Sequence, residues 1–187
     1  MVIAIRIITG KFKGRKLKPP SDYEIRPTLD RVKESIFNSI GSKIIGAAVL
    51  DLFSGTGSLG IESLSRGSEP VYFIDKSIQS INLIRYNTQN LKDIDGKYRI
   101  IKSDALKFLR FCKDRKWDII FLDPPYKVSG SLMKEIFDVL AKKEISGSET
   151  LVIYHYFFKR DIEEEVSDLK KIKLSFFGDK KVVYLSP

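Results

Sequence analysis

The sequence predicts an α/β fold built on an open, mostly parallel, doubly wound sheet, and three observations carry that prediction. Short apolar runs of strand type recur between stretches with helical spacing. Two of those runs end in motifs of the kind that bind ligands where parallel strands stop. The 187 residues are one domain by size and long enough to bury a substantial core. Strands that alternate with helices give parallel sheets, because each strand is carried back to the same edge by a crossover.

The elements follow in order. Arg6-Ile-Ile-Thr-Gly, with a second break at Gly14, reads as a short β-hairpin. Pro19-Pro20-Ser21-Asp22 is a turn-like linker, after which Thr28 can cap a helix carrying Leu29, Val32, Ile36, Phe37 and Ile40. The apolar run 49–53 is a buried strand, followed by a helix from Ser58 to about Ser65 and a strand at 71–74. A helix with Ile78, Ile81, Ile84 and Leu91 precedes a strand at Tyr98–Lys102. A helix over 105–113, a strand over 118–122, a helix near Leu132–Lys142 and a strand at Leu151–Tyr154 come next. Two late strands, Lys171–Phe176 and Val182–Leu185, bring the strands of the main sheet to seven.

Composition excludes several classes. A hydrophobic content of 43% and an aromatic content of 11% exclude a disordered chain. No run approaches the roughly 20 apolar residues that span a bilayer. The N-terminus reaches charge at Arg6, after an apolar stretch too short for a secretion signal, so a cytoplasmic location is expected. The single cysteine, Cys112, falls on the apolar face of Ala105, Phe108 and Leu109, where a buried thiol is expected. One histidine and one cysteine do not make a typical zinc site, and no metal is expected. His155 alternates with apolar neighbours in Val152-Ile-Tyr-His-Tyr156 and is expected to be structural, as is Trp117 by packing. A monomer is expected.

Charge points to a partner. The chain carries +9 overall, and residues 1–48 hold ten Lys/Arg against four Asp/Glu, six of the nine surplus charges. Lys11-Phe12-Lys13-Gly14-Arg15-Lys16-Leu17-Lys18 is five-eighths basic. A basic arm of this kind, residues 1–25, is an electrostatic footprint for phosphates, although a solvated lysine-rich face has the same composition. Residues 26–187 form the main domain.

The chemistry lies at two strand ends. Ile119-Ile-Phe-Leu122 is followed by Asp123-Pro124-Pro125-Tyr126. Two prolines fix φ and remove two donors, which leaves a carboxylate and a carbonyl held beside an aromatic ring. That set suits a planar ring bearing an exocyclic amine, stacked on Tyr126 while its NH2 donates to Asp123 and to the Pro124 carbonyl. A proline-stiffened turn with a solvated aspartate reads the same four residues. Val49-Leu-Asp51-Leu-Phe53 is followed by Ser54-Gly55-Thr-Gly57-Ser-Leu-Gly60, a loop whose glycines let backbone approach a ligand at a helix N-terminus. The glycine spacing, with Asp75 ending the next strand, also satisfies the dinucleotide fingerprint. Asp51 argues against a pyrophosphate there and for a cofactor with an ammonium and a sulfonium, which S-adenosylmethionine carries.

Together, Asp51-Leu-Phe-Ser-Gly-Thr-Gly-Ser-Leu-Gly-Ile-Glu62 and Asp123-Pro-Pro-Tyr126 resemble class I S-adenosylmethionine-dependent methyltransferases acting on amino groups of bases. Arg6-Ile-Ile-Thr-Gly-Lys-Phe-Lys-Gly-Arg-Lys-Leu17 and Arg26-Pro-Thr-Leu-Asp-Arg-Val-Lys-Glu-Ser-Ile-Phe-Asn38 narrow the resemblance to the bacterial small-subunit rRNA methyltransferase D family. It runs from Arg6 to Tyr126 and finds no motif beyond about Ser129. The resemblance implies a Rossmann-like methyltransferase domain and transfer of a methyl group to N2 of a guanine in 16S rRNA, free or in the assembling subunit. DNA or RNA adenine-N6 methylation is the alternative that the same Asp-Pro-Pro-Tyr site serves.

On this frame Ser54, Gly55 and Gly57 border the methionine part, with Asp51 near its amino group, directly or through water. Asp75 takes the ribose hydroxyls with both carboxylate oxygens, and Lys76 touches the ribose or stands in solvent. The resemblance implies that Asp104 accepts the adenine amino group beside the Ala105 backbone; a helix N-cap is the competing role. Asp123, Pro124 and Tyr126 act on the target base, with Pro125 beside it. Lys11, Lys13, Arg15 and Lys16 meet phosphates. The resemblance implies that Arg26, Thr28 and Arg31 close over the cofactor and contact RNA, while on spacing alone they are a helix start with exposed arginines. If the arm meets phosphates, neutralising Lys11, Lys13, Arg15 and Lys16 should make the slope of log K against log[salt] shallower by roughly 0.7–0.9 for each phosphate no longer neutralised. An unchanged slope in a filter-binding titration would sink that role.

Overall fold

The computed structural model describes residues 5–20, 30–111, 115–142, 144–166 and 168–187. Two short antiparallel strands, β1 (Ile5–Arg6) and β2 (Lys16–Leu17), are followed by helix α1 (Asp30–Ile40) and a 3-10 turn, Gly41–Ile44. Then come β3 (Val49–Leu52), α2 (Ser58–Ser65), β4 (Val71–Asp75), α3 (Ile78–Thr88) and β5 (Tyr98–Lys102). Next are α4 (Ala105–Phe111), β6 (Trp117–Leu122), α5 (Gly130–Ala141) and β7 (Ser146–Phe157). An antiparallel hairpin, β8 (Lys170–Phe177) and β9 (Lys180–Ser186), closes the chain.

The main sheet has seven strands in the order β5-β4-β3-β6-β7-β9-β8, with β9 antiparallel to both of its neighbours. Successive residues of a strand face opposite sides. Val49, Phe73, Phe121 and Ile153 therefore meet α1, α2 and α3 through Ile36, Phe37, Leu59, Ile61 and Ile84. Leu50, Leu52, Ile120, Leu122 and Tyr154 meet α4 and α5 through Leu106, Leu109, Met133 and Phe137. Burial on both faces is the reason these strands read as continuous apolar runs. No helix among the described residues is long and apolar enough to cross a membrane.

From β3 the chain winds outward to β4 and β5, then returns to lay β6 on the opposite side of β3. Leu52 pairs with Leu122, so the turns after β3 and β6 emerge side by side at the carboxyl edge. Close packing of α2 against the sheet depends on Gly60. A Cβ there would stand 2.2 Å from the ring of the buried Phe73.

The N-terminal hairpin packs on the same core, with Ile5, Ile7, Phe12 and Leu17 buried beside α1 and α2. Its anchor is the buried Glu62 of α2, whose two oxygens accept the backbone N–H of Ile8 at 2.7 Å and of Thr9 at 3.0 Å. Arg66 donates to the same carboxylate at 2.9 Å, and the buried Lys33 ammonium lies 3.8 Å away while it donates to the Arg6 carbonyl. Burial holds Lys33 below the usual lysine range, with Glu62 opposing that shift.

Several boundaries differ from those read off the sequence. β7 runs over Ser146–Phe157 rather than 151–154, because ladders to β6 and β9 extend it through polar residues and His155. Ile78 is 44% exposed: residues spaced by three rotate about 60° off a buried stripe at each step, and Ile81 and Ile84 keep the buried side. Trp117 is buried within β6 and packs edge-on against Tyr72 at 4.8 Å. Thr28 and Leu29, Ser21-Asp22 of the linker, and Cys112 at the end of the 105–113 helix lie outside the described residues.

Gly60→Ala is expected to lower the free energy of unfolding in a urea titration by about 1–3 kcal/mol, the cost of overpacking a filled core. Combined with Phe73→Leu, which removes the clashing ring, the loss should be smaller than the sum of the two single effects.

Candidate active site

Three residues of the turn after β3 sit in the left-handed region: Phe53 at φ 60°, Gly55 at φ 54° and Gly57 at φ 76°. Glycine takes such angles without strain, whereas Phe53 is held there by its surroundings. Ser54 is one such constraint. Its hydroxyl donates to the Asp51 carbonyl at 2.6 Å and accepts the Ile74 N–H at 2.9 Å, so it is spent tying the loop to β4.

Asp75, the last residue of β4, clasps the same loop. Its Oδ2 accepts the Gly55 N–H at 2.9 Å and its Oδ1 accepts the Ser77 N–H at 2.8 Å. Each carboxylate oxygen has a second lone pair, so these bonds fix the orientation of the side chain and leave it able to accept more.

Asp51 is placed deeper than the sequence suggested. It is 1% exposed, and its Oδ2 accepts the Gly60 N–H at 2.9 Å inside the first turn of α2. Burial pushes its carboxyl up to about 8; the Gly60 N–H works against that shift, and Asp123 and Asp75 add to it. A cation beside this group would favour its ionised form.

A cavity of about 340 Å³ opens at this edge, walled by Phe53, Ile74, Ala105, Val128 and Leu132, with Asp75, Lys76, Asp104 and Pro125 also lining it. Lys76 is exposed. Asp104 is exposed as well and caps α4, its Oδ1 accepting the Lys107 N–H at 3.1 Å. Apolar walls with carboxylates beside them are the kind of lining that could hold a nucleoside, with Asp75 free in geometry to accept further hydrogen bonds.

At the end of β6, Asp123 is partly exposed and Pro124 is buried, while the Pro125 carbonyl accepts the Val128 N–H at 2.9 Å and closes the turn. Tyr126 is 42% exposed, set edge-on to Phe157 at 5.7 Å, with the Lys180 ammonium 5.7 Å from its ring centre. Asp123 Oδ1 lies 2.8 Å from Nδ1 of the buried His155. His155, expected to be structural, is held in β7 and joined by this contact to the Asp-Pro-Pro-Tyr turn. His155, Phe157 and Lys180 all escaped the sequence motifs. The alternation of β7, which sets His155 and Phe157 on one face, was the available signal.

The arm cations sit elsewhere. The Lys11 N–H donates to the Ser65 carbonyl at the end of α2, the Lys11 ammonium pairs with Asp93 at 2.7 Å, and Arg15 donates to the Asn90 carbonyl. Since α2 starts at the carboxyl edge of the sheet and runs about 12 Å away from it, these contacts hold the tip of the arm toward the opposite edge. Lys13 and Lys16 are exposed on the same arm. Arg31, in the first turn of α1, lines an open polar groove with Glu34, Asn38 and Lys173 rather than the cavity beside Asp75. Arg26 and Thr28 lie outside the described residues. Among the described residues no cluster of three or more His, Cys, Asp or Glu is placed to hold a metal ion.

Known proteins of the same kind agree with this architecture. The family model described as Conserved hypothetical protein 95 matches residues 5–186. The chain is 34% identical over 176 residues to "Putative rRNA methyltransferase YlbH" of Bacillus subtilis, covering 93% of this chain and 94% of that protein. It is 36% identical over 148 residues to "Ribosomal RNA small subunit methyltransferase D" of Escherichia coli, covering 79% of this chain and 72% of that protein. A solved structure, "Putative methyltransferase yhhF from Escherichia coli", superposes with a TM-score of 0.85 at 29% identity, covering 98% of this chain and 97% of that one.

The buried Asp51 makes the stability of the ligand-free protein depend on pH in a defined direction. Its carboxyl rises from 3.8 to about 8 on folding, so between those values the folded protein keeps a proton that the unfolded chain has lost. Stability from this group is therefore lost as pH rises. Asp51→Asn keeps an acceptor for the Gly60 N–H and cannot titrate. In thermal melts across pH 4 to 8, the wild type should fall progressively relative to the variant; a constant difference would show that Asp51 ionises normally.

Proposed function

Because this chain belongs to the small-subunit rRNA methyltransferase D family, matched over most of its length, we propose that it methylates rRNA with S-adenosylmethionine, and that its target atom is the exocyclic N2 of a guanine in 16S rRNA. One observation carries the reading: the Asp123-Pro-Pro-Tyr126 turn stands beside the Gly55–Gly57 loop because β3 and β6 pair in parallel register. An amine-recognising group and a cofactor-binding loop thus share one crevice.

The cofactor supplies a methyl group on a positively charged sulfur, already electrophilic. The residues present suit it: the apolar cavity with Asp75 for the adenosine, and Asp51 behind the Gly55–Gly57 loop for its positive charge. The exocyclic amine is a weak nucleophile because its lone pair is delocalised into the ring. Asp123 and the Pro124 carbonyl accept its two N–H bonds, which favours a pyramidal nitrogen and directs the lone pair toward the methyl group. Transfer would join this nitrogen to the methyl carbon as the sulfur leaves, and Asp123 or water would take the proton lost from nitrogen. Holding the amine in line supplies much of the rate.

Tyr126 stacks the base, and Lys180 beside it provides a cation for the neighbouring phosphate. The base must leave its stack to arrive there, which costs least in a loop or an unpaired strand. Lys13 and Lys16 on the arm would meet phosphates at a more distant part of the same RNA.

The test is transfer from radiolabelled S-adenosylmethionine to unmodified small-subunit rRNA, free and in partly assembled particles, with duplex DNA in parallel, followed by nucleoside analysis. Label in N2-methylguanosine is expected. Label in N6-methyladenine would move the target to the other amine that this turn can hold. Asp123→Ala should reduce transfer at least 100-fold while the cofactor dissociation constant changes less than about 3-fold. Comparable loss of both would mean that Asp123 supports the fold rather than the reaction.

A further inference from the structure

We infer that His155 is the positioning residue for Asp123: an imidazole that donates from Nδ1 to Oδ1 of the carboxylate and sets its orientation toward the target amine. This rests on the proposed methyl transfer to an exocyclic amine. The two residues are 32 apart in sequence and meet because β7 lies in parallel register beside β6, with Leu122 opposite Tyr154. His155 is the next residue after Tyr154, as Asp123 is after Leu122. Their side chains meet at 2.8 Å.

The environment of the ring selects its state. His155 is buried, and its Nε2 has no hydrogen-bond partner among the described residues. A proton on Nε2 would be a donor without an acceptor in a closed site, which is costly; a bare lone pair there is the milder case. Nδ1 faces a carboxylate, so the proton belongs on Nδ1. The partner across the second ladder is Val182, which offers no side-chain polar group.

A carboxylate at the tip of a strand has two side-chain torsions to settle. A charge-assisted bond at one oxygen removes that freedom before substrate arrives, and the position of the other oxygen follows. The Pro-Pro segment stiffens the backbone of the turn, and His155 extends the same stiffness to the side chain. Its effect should fall on the rate of transfer rather than on substrate affinity, since it touches neither RNA nor cofactor.

Two measurements test this, and the first is independent of activity. His155 is the only histidine in the chain, so the imidazole nitrogen signals of the ¹⁵N-labelled wild-type protein report on it without assignment. The expected spectrum is that of a ring protonated at Nδ1, and it should change in Asp123→Asn. A ring protonated at Nε2 alone, or a spectrum indifferent to that substitution, would overturn the proposal. The second is a pair of variants, one that removes the donor and one that restores it. His155→Leu keeps the packing and removes the donor; His155→Asn returns an N–H close to the position of Nδ1. His155→Leu should lower kcat roughly 10- to 100-fold, with KM for RNA and cofactor affinity within about 2-fold, and His155→Asn should recover most of the loss. Retention of kcat in His155→Leu, or His155→Asn no better than His155→Leu, would show that the ring only fills space. If the wild type transferred no methyl group to any substrate, the methyltransferase reading would fall, and the nitrogen spectrum would still decide whether His155 orients Asp123.

Discussion

The parallel pairing of β3 with β6 is the constraint from which the site follows. Leu52 lies opposite Leu122, so the glycine-rich turn and the Asp-Pro-Pro-Tyr turn leave the sheet at the same height on adjacent strands. Slipping one strand by a residue would put Asp51 and Phe121 on opposite faces and offset the two turns. The continuous apolar character of both strands, buried under helices on each side, is what specifies the register. Core packing and the placing of the two turns are therefore the same requirement at this point of the molecule.

Around that pair the structure uses carboxylates for unlike purposes. Glu62 is buried with cations and backbone donors around it, and it fastens the N-terminal hairpin to α2. Asp75 is shared between the loop it clasps and the cavity it lines. Asp51 is buried against the Gly60 N–H and is pushed up to about 8. Asp123 stands at the rim with an imidazole behind it. Burial and partner, rather than residue type, separate Glu62 from the three aspartates at the carboxyl edge of the sheet.

Positive charge is likewise distributed over both edges of the sheet. The arm holds its cations toward the edge remote from the reaction, where Lys11 and Arg15 already have partners in the segment after α3. The cation next to the stacking ring comes instead from the last strand, as Lys180 over Tyr126. On the proposed function, an extended RNA would meet these cations at points well apart, which suits recognition of a folded RNA surface more than of a short oligonucleotide.

The sequence by itself determined the fold class, every strand of the main sheet and the two loops that form the crevice. Those features are local: an apolar run, a glycine-rich turn and a Pro-Pro segment each declare themselves within about ten residues. The bounds of β7, the rotation of Ile78 out of the buried stripe and the depth of Asp51 were decided by neighbours. So were the contacts that complete the site, His155 on Asp123 and Lys180 over Tyr126, each made between residues more than thirty positions apart. Tertiary structure alone decided them, because a cross-strand neighbour is named by register, and register is set by how two whole faces pack.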